Sequence, residues 1–294
     1  MSLLRRLRER GIRPNKLRGQ SFLVDEGELS AVADAAGAGG ADTVVEIGAG
    51  PGNLTRLLAR RAGRVIAVEI DRRLAEFARE NLADCPNVEV VQDDARRLDL
   101  AAWRGPGGAQ GPGGPEAAKL IVVGNLPYSV TTPVIMRVLE QCGSVRLCVF
   151  TVQREVAARM AADPGGRQYG ALSVAVQYRA GVEVVRTIAP EAFRPVPAVT
   201  SALVRLTIKD RPSPQAADER ALRAVVAGAF SQRRKKLANS LAGALHIERD
   251  EAVALLRAAG LSPDDRAERV SVAGFVRLAD AWSAGRGGHS GESE

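Results

Sequence analysis

The chain is poor in the residues that carry most metal and redox chemistry. Its 294 residues include three cysteines and two histidines. Cys85, Cys142 and Cys148 form no Cys-x-x-Cys pair and no even set, which argues against a disulfide framework and against a thiolate zinc site. His246 and His289 stand far apart, so no metal is expected and imidazole acid–base catalysis has little to work with. Aromatic residues make up 4%. No apolar run approaches the ~18 residues needed to cross a bilayer, and no membrane association is expected. The opening ten residues hold Arg5, Arg6, Arg8 and Arg10 where an export signal needs an apolar stretch. A reducing, cytoplasmic compartment is the expectation.

What is present is ordinary in bulk and uneven in charge. Hydrophobic residues account for 46% and charged residues for 26%, and at ~150 residues per domain the length suggests about two domains. The net charge is +7. Residues 1–20 hold seven basic side chains, the four above with Arg13, Lys16 and Arg18, against Glu9 alone, a net +6. Arg233-Arg234-Lys235-Lys236 is a second purely basic block. Such clusters neutralise phosphates and release counterions, so a polyanionic partner competes with a merely solvated surface.

Short β-branched runs alternate with helical spacing. Thr43–Ile47, Val65–Val68, Val88–Val91, Leu120–Val123 and Arg146–Phe150 read as strands. Helices are expected from Asp25 to Ala36, Asn53 to Arg60 and Arg72 to Leu82. Alternation of this kind implies βαβ units and a mainly parallel sheet. From Leu172 to Ile188 the sequence reads as strand-rich, and Ala202–Lys209 alternates with period 2, which suggests an antiparallel edge. The fold class expected is α/β, a Rossmann-like domain over 21–210 preceded by a basic arm over 1–20. Pro212-Ser213-Pro214 is a linker, residues 216–284 form a small all-helical domain, and 285–294 read as a disordered tail. The Gly/Pro-rich stretch 105–115 reads as a flexible surface loop.

Chemistry gathers at the carboxyl ends of these strands. The first runs into Gly48-Ala49-Gly50-Pro51-Gly52, where glycine permits a tight turn and close approach to a ligand. A dinucleotide fingerprint needs glycine at position 53, which is asparagine. With Glu46 ahead of it, the pattern Glu-x-Gly-x-Gly-x-Gly is closer to an S-adenosylmethionine turn. Glu69, ending the second strand, is placed to accept from ribose hydroxyls. After the third strand Asp93 and Asp94 both could accept from an adenine amine, and spacing does not choose between them. The fourth strand leads into Asn125-Leu126-Pro127-Tyr128. That set fits methylation of a planar nitrogen. The Asn125 side-chain oxygen and the Leu126 carbonyl can accept two amine hydrogens, and Tyr128 can stack on the base, worth ~1–3 kcal/mol. Alkylation acidifies the amine, so no strong base is needed.

Together with Gly19-Gln20-Ser21-Phe22-Leu23, Tyr169-Gly170-Ala171-Leu172-Ser173, Phe193-Arg194-Pro195-Val196-Pro197 and Phe230–Lys236, these motifs make the chain resemble the small-subunit ribosomal RNA adenine dimethyltransferases of the KsgA/RsmA type. The match runs from about residue 14 to 282. The resemblance implies transfer of two methyl groups to N6 of each of two neighbouring adenosines near the 3′ end of 16S rRNA, by a monomer acting within a small ribosomal subunit or its precursor. It implies S-adenosyl-L-methionine held by Ser21, Leu23, Gly48, Glu69, Asp94 and Asn125, so it selects Asp94 over Asp93. It implies catalysis by Asn125, Leu126, Tyr128 and Phe193, with Phe193 stacked on the flipped adenine opposite Tyr128. Arg233, Arg234 and Lys235 would grip RNA phosphates, as would the N-terminal arm. The family usually has Asn or His where Ser21 stands and Asn-Ile where Ser129-Val130 stands. The rival readings are an enzyme of large-subunit rRNA, a non-catalytic assembly factor and a nicotinamide oxidoreductase.

Overall fold

A computed structural model describes residues 3–14, 19–104, 119–232 and 235–287. The Gly/Pro stretch 105–115, Lys16, Arg18, Arg233, Arg234 and residues 288–294 lie outside the described residues.

In chain order the elements are α1 (Leu3–Glu9), β1 (Phe22–Leu23), α2 (Glu26–Ala36), β2 (Thr43–Ile47), α3 (Asn53–Ala59), β3 (Arg64–Glu69), α4 (Arg72–Asn81), β4 (Val88–Gln92), β5 (Leu120–Asn125), α5 (Thr131–Glu140), β6 (Val145–Gln153), α6 (Arg154–Met160), α7 (Ala171–Arg179), β7 (Ala180–Ile188), β8 (Phe193–Arg194), β9 (Ser201–Ile208), α8 (Glu219–Phe230), α9 (Leu237–Leu245), α10 (Arg249–Ala258) and α11 (Val272–Gly287). Contacts divide the chain into two compact units, one of residues 1–157 and 181–210, the other of 158–180 and 211–294.

In the first unit a seven-stranded sheet has the order β4-β3-β2-β5-β6-β9-β7. The pairs β3/β4, β2/β3, β2/β5 and β5/β6 are parallel, and β6/β9 is antiparallel. Val44, Val45, Ile66, Val122 and Val149 are fully buried, as β-branched residues of a sheet covered on both faces should be. The order reverses between β2 and β5. A crevice opens beyond the carboxyl ends of strands at such a reversal, and ligands bind there in open α/β sheets. The helix starts follow local chemistry: Asp25 Oδ1 accepts from Glu28 N at 2.9 Å and Asp71 Oδ1 from Arg73 N at 3.0 Å, each cap worth ~1 kcal/mol.

The N-terminal segment is not a free arm. Leu7 and Ile12 are buried with Phe22, Leu74 and Phe77, an apolar anchorage of ~1.5–3 kcal/mol per large side chain. Arg6 donates to Asn81 Oδ1 at 2.7 Å and lies over the Phe77 ring at 5.2 Å. Arg10 pairs with Glu80. These arginines are spent on α4, which the net charge of the segment could not reveal.

The second unit is helical, with Leu222, Val225, Leu241, Leu256, Phe275 and Trp282 in its core. The strand-rich reading of 172–188 is corrected over its first half, since α7 is helical and β7 follows it. Leu172, Val174, Val176 and Tyr178 are all buried and alternate in the sequence, so the pattern mimics a strand. Helix is fixed by tertiary bonds, with Gln177 Nε2 donating to the Met160 and Ala162 carbonyls at 2.9 and 2.8 Å. Tyr169, Val174 and Tyr178 share the helical core, so segment 158–180 leaves the domain expected over 21–210. At the other end α11 runs to Gly287, past the expected limit at 284. Among the described residues no helix is long and apolar enough to cross a membrane.

Candidate active site

A cavity of about 360 Å³ opens at the reversal point, lined by segments 19–22, 47–48, 68–70, 93–96 and 125–130 with Val134. Its size falls within the ~300–1,000 Å³ of small-molecule sites. Four of these stretches meet there because β2, β3, β4 and β5 all end on one rim.

The glycine turn forms the floor. Gly48 has φ +76°, the left-handed region, and a Cβ on it would stand 3.5 Å from the Asn125 carbonyl oxygen and 3.9 Å from Pro127 Cδ. Ile47 pairs in register with Gly124, and a Cβ on Gly124 would fall 2.7 Å from the Ile47 carbonyl oxygen. Glycine at this place lets β2 and β5 deliver their two loops to the same spot.

Glu69 lies under the turn, 4% exposed. Its Oε2 accepts from Gly50 N at 2.8 Å and its Oε1 from Asp71 N at 2.9 Å. The carboxylate keeps acceptor capacity for a hydroxyl donor. Burial raises its pKa, and the backbone N–H groups of Asp71 and Gly50 work against that rise. Glu46 does not line the cavity. It is 2% exposed, and its Oε2 has no hydrogen-bond partner. Burial pushes its pKa up to about 8, the Thr55 hydroxyl offsets part of this, and Glu69 nearby adds to it.

Asp93 and Asp94 both line the cavity. Asp94 is the more sheltered, and Arg96 grips its carboxylate from Nε at 3.0 and 3.1 Å and from Nη2 at 2.6 Å. That clasp holds the Asp94 pKa below the usual range. Arg96 and the exposed Ile70 also line the rim. Neither was singled out by sequence, although each lies within two residues of a predicted acid.

Opposite the acids stands the turn after β5. Asn125 Nδ2 donates to the Ser21 carbonyl at 2.8 Å, which leaves Oδ1 as the acceptor the amide can offer. The Pro127 carbonyl accepts from Val130 N at 3.0 Å and Thr131 Oγ1 at 3.1 Å, so the turn is locked. Tyr128 OH and Ser201 Oγ are 2.7 Å apart. Burial raises the Tyr128 pKa, so the ring carries a neutral phenol. Ser201 was missed. Its only sequence signal was a serine at the head of an apolar strand; that it is fully buried shows only in the structure.

Leu23 and Phe193 do not line the cavity, whereas Ser21 does. In the antiparallel pair β1/β8, Leu23 faces Phe193 and Phe22 faces Arg194. Opposed residues share a face, so Leu23 and Phe193 enter the core together, 5% and 1% exposed. Phe22 lines the cavity in their place. Phe193 therefore does not stand ready to stack on a base. Swinging it out would forfeit the ~1.5–3 kcal/mol of its burial, about what stacking returns. The Ser21 hydroxyl donates to the Pro195 carbonyl at 2.7 Å, so its side chain is committed within the protein. Of the predicted RNA contacts within the described residues, Lys235 is exposed. Its neighbour Lys236 pairs with Asp264 at 2.7 Å.

The ribosomal RNA adenine dimethylase family model matches residues 12–283. The chain belongs to that family. It is 43% identical over 272 residues to the ribosomal RNA small subunit methyltransferase A of Moorella thermoacetica, covering 92% of this chain and 93% of the relative. The protein of the same name from Geobacillus thermodenitrificans is 40% identical over 266 residues, covering 90% and 89%. Among solved structures, the 23S rRNA methyltransferase ErmE is 28% identical with a TM-score of 0.65, covering 89% of this chain and 99% of that one. A dimethyladenosine transferase from Plasmodium falciparum has a TM-score of 0.71 at 22% identity, covering 87% and 95%. The protein is an S-adenosylmethionine-dependent rRNA adenine dimethyltransferase.

Proposed function

We propose that the cavity holds S-adenosylmethionine along its acidic rim and that the Asn125–Tyr128 turn presents the N6 amine of an extruded adenine to it. The substrate is 16S rRNA, whose two neighbouring adenosines near the 3′ end each receive two methyl groups. The protein acts as a cytoplasmic monomer on the small subunit or its precursor. The residues fit the cofactor: Gly48 takes the left-handed φ that turns the chain at the cavity wall, Glu69 retains acceptor capacity for a ribose, and Asp94 can accept from an adenine amine. Ile70, 45% exposed on the rim, offers apolar surface to a purine. When bound, the cofactor supplies an electrophilic methyl group on a sulfonium centre.

This chain's residues prepare the nucleophile. The lone pair of an adenine amine is delocalised into the ring. Asn125 Oδ1 and the Leu126 carbonyl each accept one amine hydrogen and so turn the lone pair outward. Tyr128 stacks on the base, its ring fixed by Ser201. Orientation at near-attack distance then supplies most of the acceleration, up to ~7–11 kcal/mol for well-aligned pairs. Lys235, with Arg233 and Arg234, contacts RNA phosphates.

The tethering of Asn125 Nδ2 to Ser21, which frees Oδ1 for a donor, carries this reading. Unmethylated small subunits incubated with labelled cofactor and mapped by mass spectrometry test it. The wild type is expected to modify two adjacent adenosines. Asn125→Ala is expected to lose about a hundredfold in turnover at saturating cofactor. Normal turnover in that variant removes the amine-orienting role, and modification of 23S rRNA alone replaces the substrate.

A further inference from the structure

Segment 19–23 sits at the junction of the cofactor rim and the turn that presents the base. A Cβ on Gly19 would stand 3.6 Å from Tyr128 N and 3.7 Å from Ser129 N. Ser21 O holds Asn125 Nδ2, and Ser21 Oγ donates to Pro195 O. Phe22 and Leu23 pair with Arg194 and Phe193. Six residues beyond Pro195, Ser201 Oγ meets Tyr128 OH. Segment 193–201 is thus pinned at both ends by serine hydroxyls, one acting through Ser21 on Asn125 and the other directly on Tyr128.

We infer that Ser21 and Ser201 are positioning residues for the methyl-accepting base, and that the Ser21 side chain serves the acceptor side of the reaction rather than the cofactor. The inference rests on the roles proposed above for Asn125 and Tyr128. A hydroxyl can donate once, and the Ser21 hydroxyl donates to a backbone carbonyl that belongs to the acceptor-side segment. That bond fixes the Ser21 peptide, whose carbonyl in turn fixes which face of the Asn125 amide is free. Loss of one such bond costs ~1 kcal/mol. Delivered to the placement of Asn125, this is roughly a five- to tenfold fall in turnover. The same bond runs to a backbone carbonyl of the acceptor-side segment, so its loss is expected to leave cofactor affinity alone.

The test compares full-length wild type, Ser21→Ala, Ser21→Thr, Ser201→Ala, Tyr128→Phe and the Tyr128→Phe/Ser201→Ala double variant. Turnover on unmethylated small subunits at saturating cofactor, cofactor Kd by calorimetry and solvent exchange of the Asn125 side-chain amide by NMR are measured. Ser21→Ala is expected to lower kcat roughly five- to tenfold, to keep Kd within about twofold and to speed Asn125 amide exchange. Ser21→Thr, which keeps the hydroxyl, is expected to restore both. Ser201→Ala is expected to lower kcat in the wild-type background and to add nothing to Tyr128→Phe. A rise in Kd that accounts for the loss in Ser21→Ala returns that side chain to the cofactor and overturns the inference, as does unchanged kcat with unchanged amide exchange. If the wild type itself modifies no small subunit, the substrate reading fails separately. The amide exchange then decides the Ser21 arm alone, and faster exchange in Ser21→Ala still supports it.

Discussion

Replacing Glu46 by Gln should abolish a pH dependence of stability that the wild type carries. The carboxyl is 2% exposed with one oxygen unpartnered, and its pKa rises from 4.5 to about 8. Between those values the unfolded chain has released this proton and the folded chain has kept it. The unfolded state gains, so stability falls as pH rises, by ~1.4 kcal/mol per unit. At pH 7 the folded group is still mostly protonated. The accumulated loss is therefore set mainly by the distance of pH 7 from the unfolded value, and amounts to about 3 kcal/mol. Above pH 8 the contribution stays level. Glutamine keeps the shape and cannot titrate. The stability of the variant relative to wild type should shift in the variant's favour by about 3 kcal/mol between pH 4.5 and 7, whatever the fixed cost of the swap. Urea melts at half-unit steps of pH measure it. In thermal scans the same shift is roughly 6–12 °C. A difference flat across that range would mean that Glu46 ionises inside the fold, and the neutral-acid assignment would be wrong.

Asp94→Ala should weaken cofactor binding by about 1–3 kcal/mol, the usual worth of a hydrogen bond to a charged group; unchanged affinity by calorimetry removes Asp94 from the site. Leu7→Ala should cost about 2–5 kcal/mol in a denaturant melt, because Leu7 is 2% exposed against α4; a free N-terminal arm would lose nothing. Gly124→Ala should reduce turnover and stability together, since its Cβ would meet the Ile47 carbonyl oxygen at 2.7 Å. Wild-type values in both assays would show that β2 and β5 can part without disturbing the site.

The parallel sheet was legible because each central strand is a short apolar run followed by turn residues, and burial on both faces makes such runs unambiguous. The cavity was legible for a related reason. Parallel strands put their carboxyl ends on one rim, so Gly48, Glu69, Asp94 and Asn125 could be assigned to one place without knowing any distance. What stayed hidden was fixed by contacts between residues distant in sequence. Phe193 reads as an available aromatic because nothing local says that it faces Leu23 across a two-residue strand pair. Its burial follows from pairing register, and register flips every side chain when it shifts by one. Segment 171–179 reads as strand because its large apolar residues, Leu172, Val174, Val176 and Tyr178, fall at every second position. Arg6 and Arg10 read as free charge because Glu80, Asn81 and Phe77 lie some seventy residues away. Ser21 combines both cases. Its place on the cavity wall is visible in the motif Gly19–Leu23, yet its bond to Pro195 spans 174 positions. A residue can thus be assigned to a site from sequence while the side of the reaction it serves is settled only by its long-range partner.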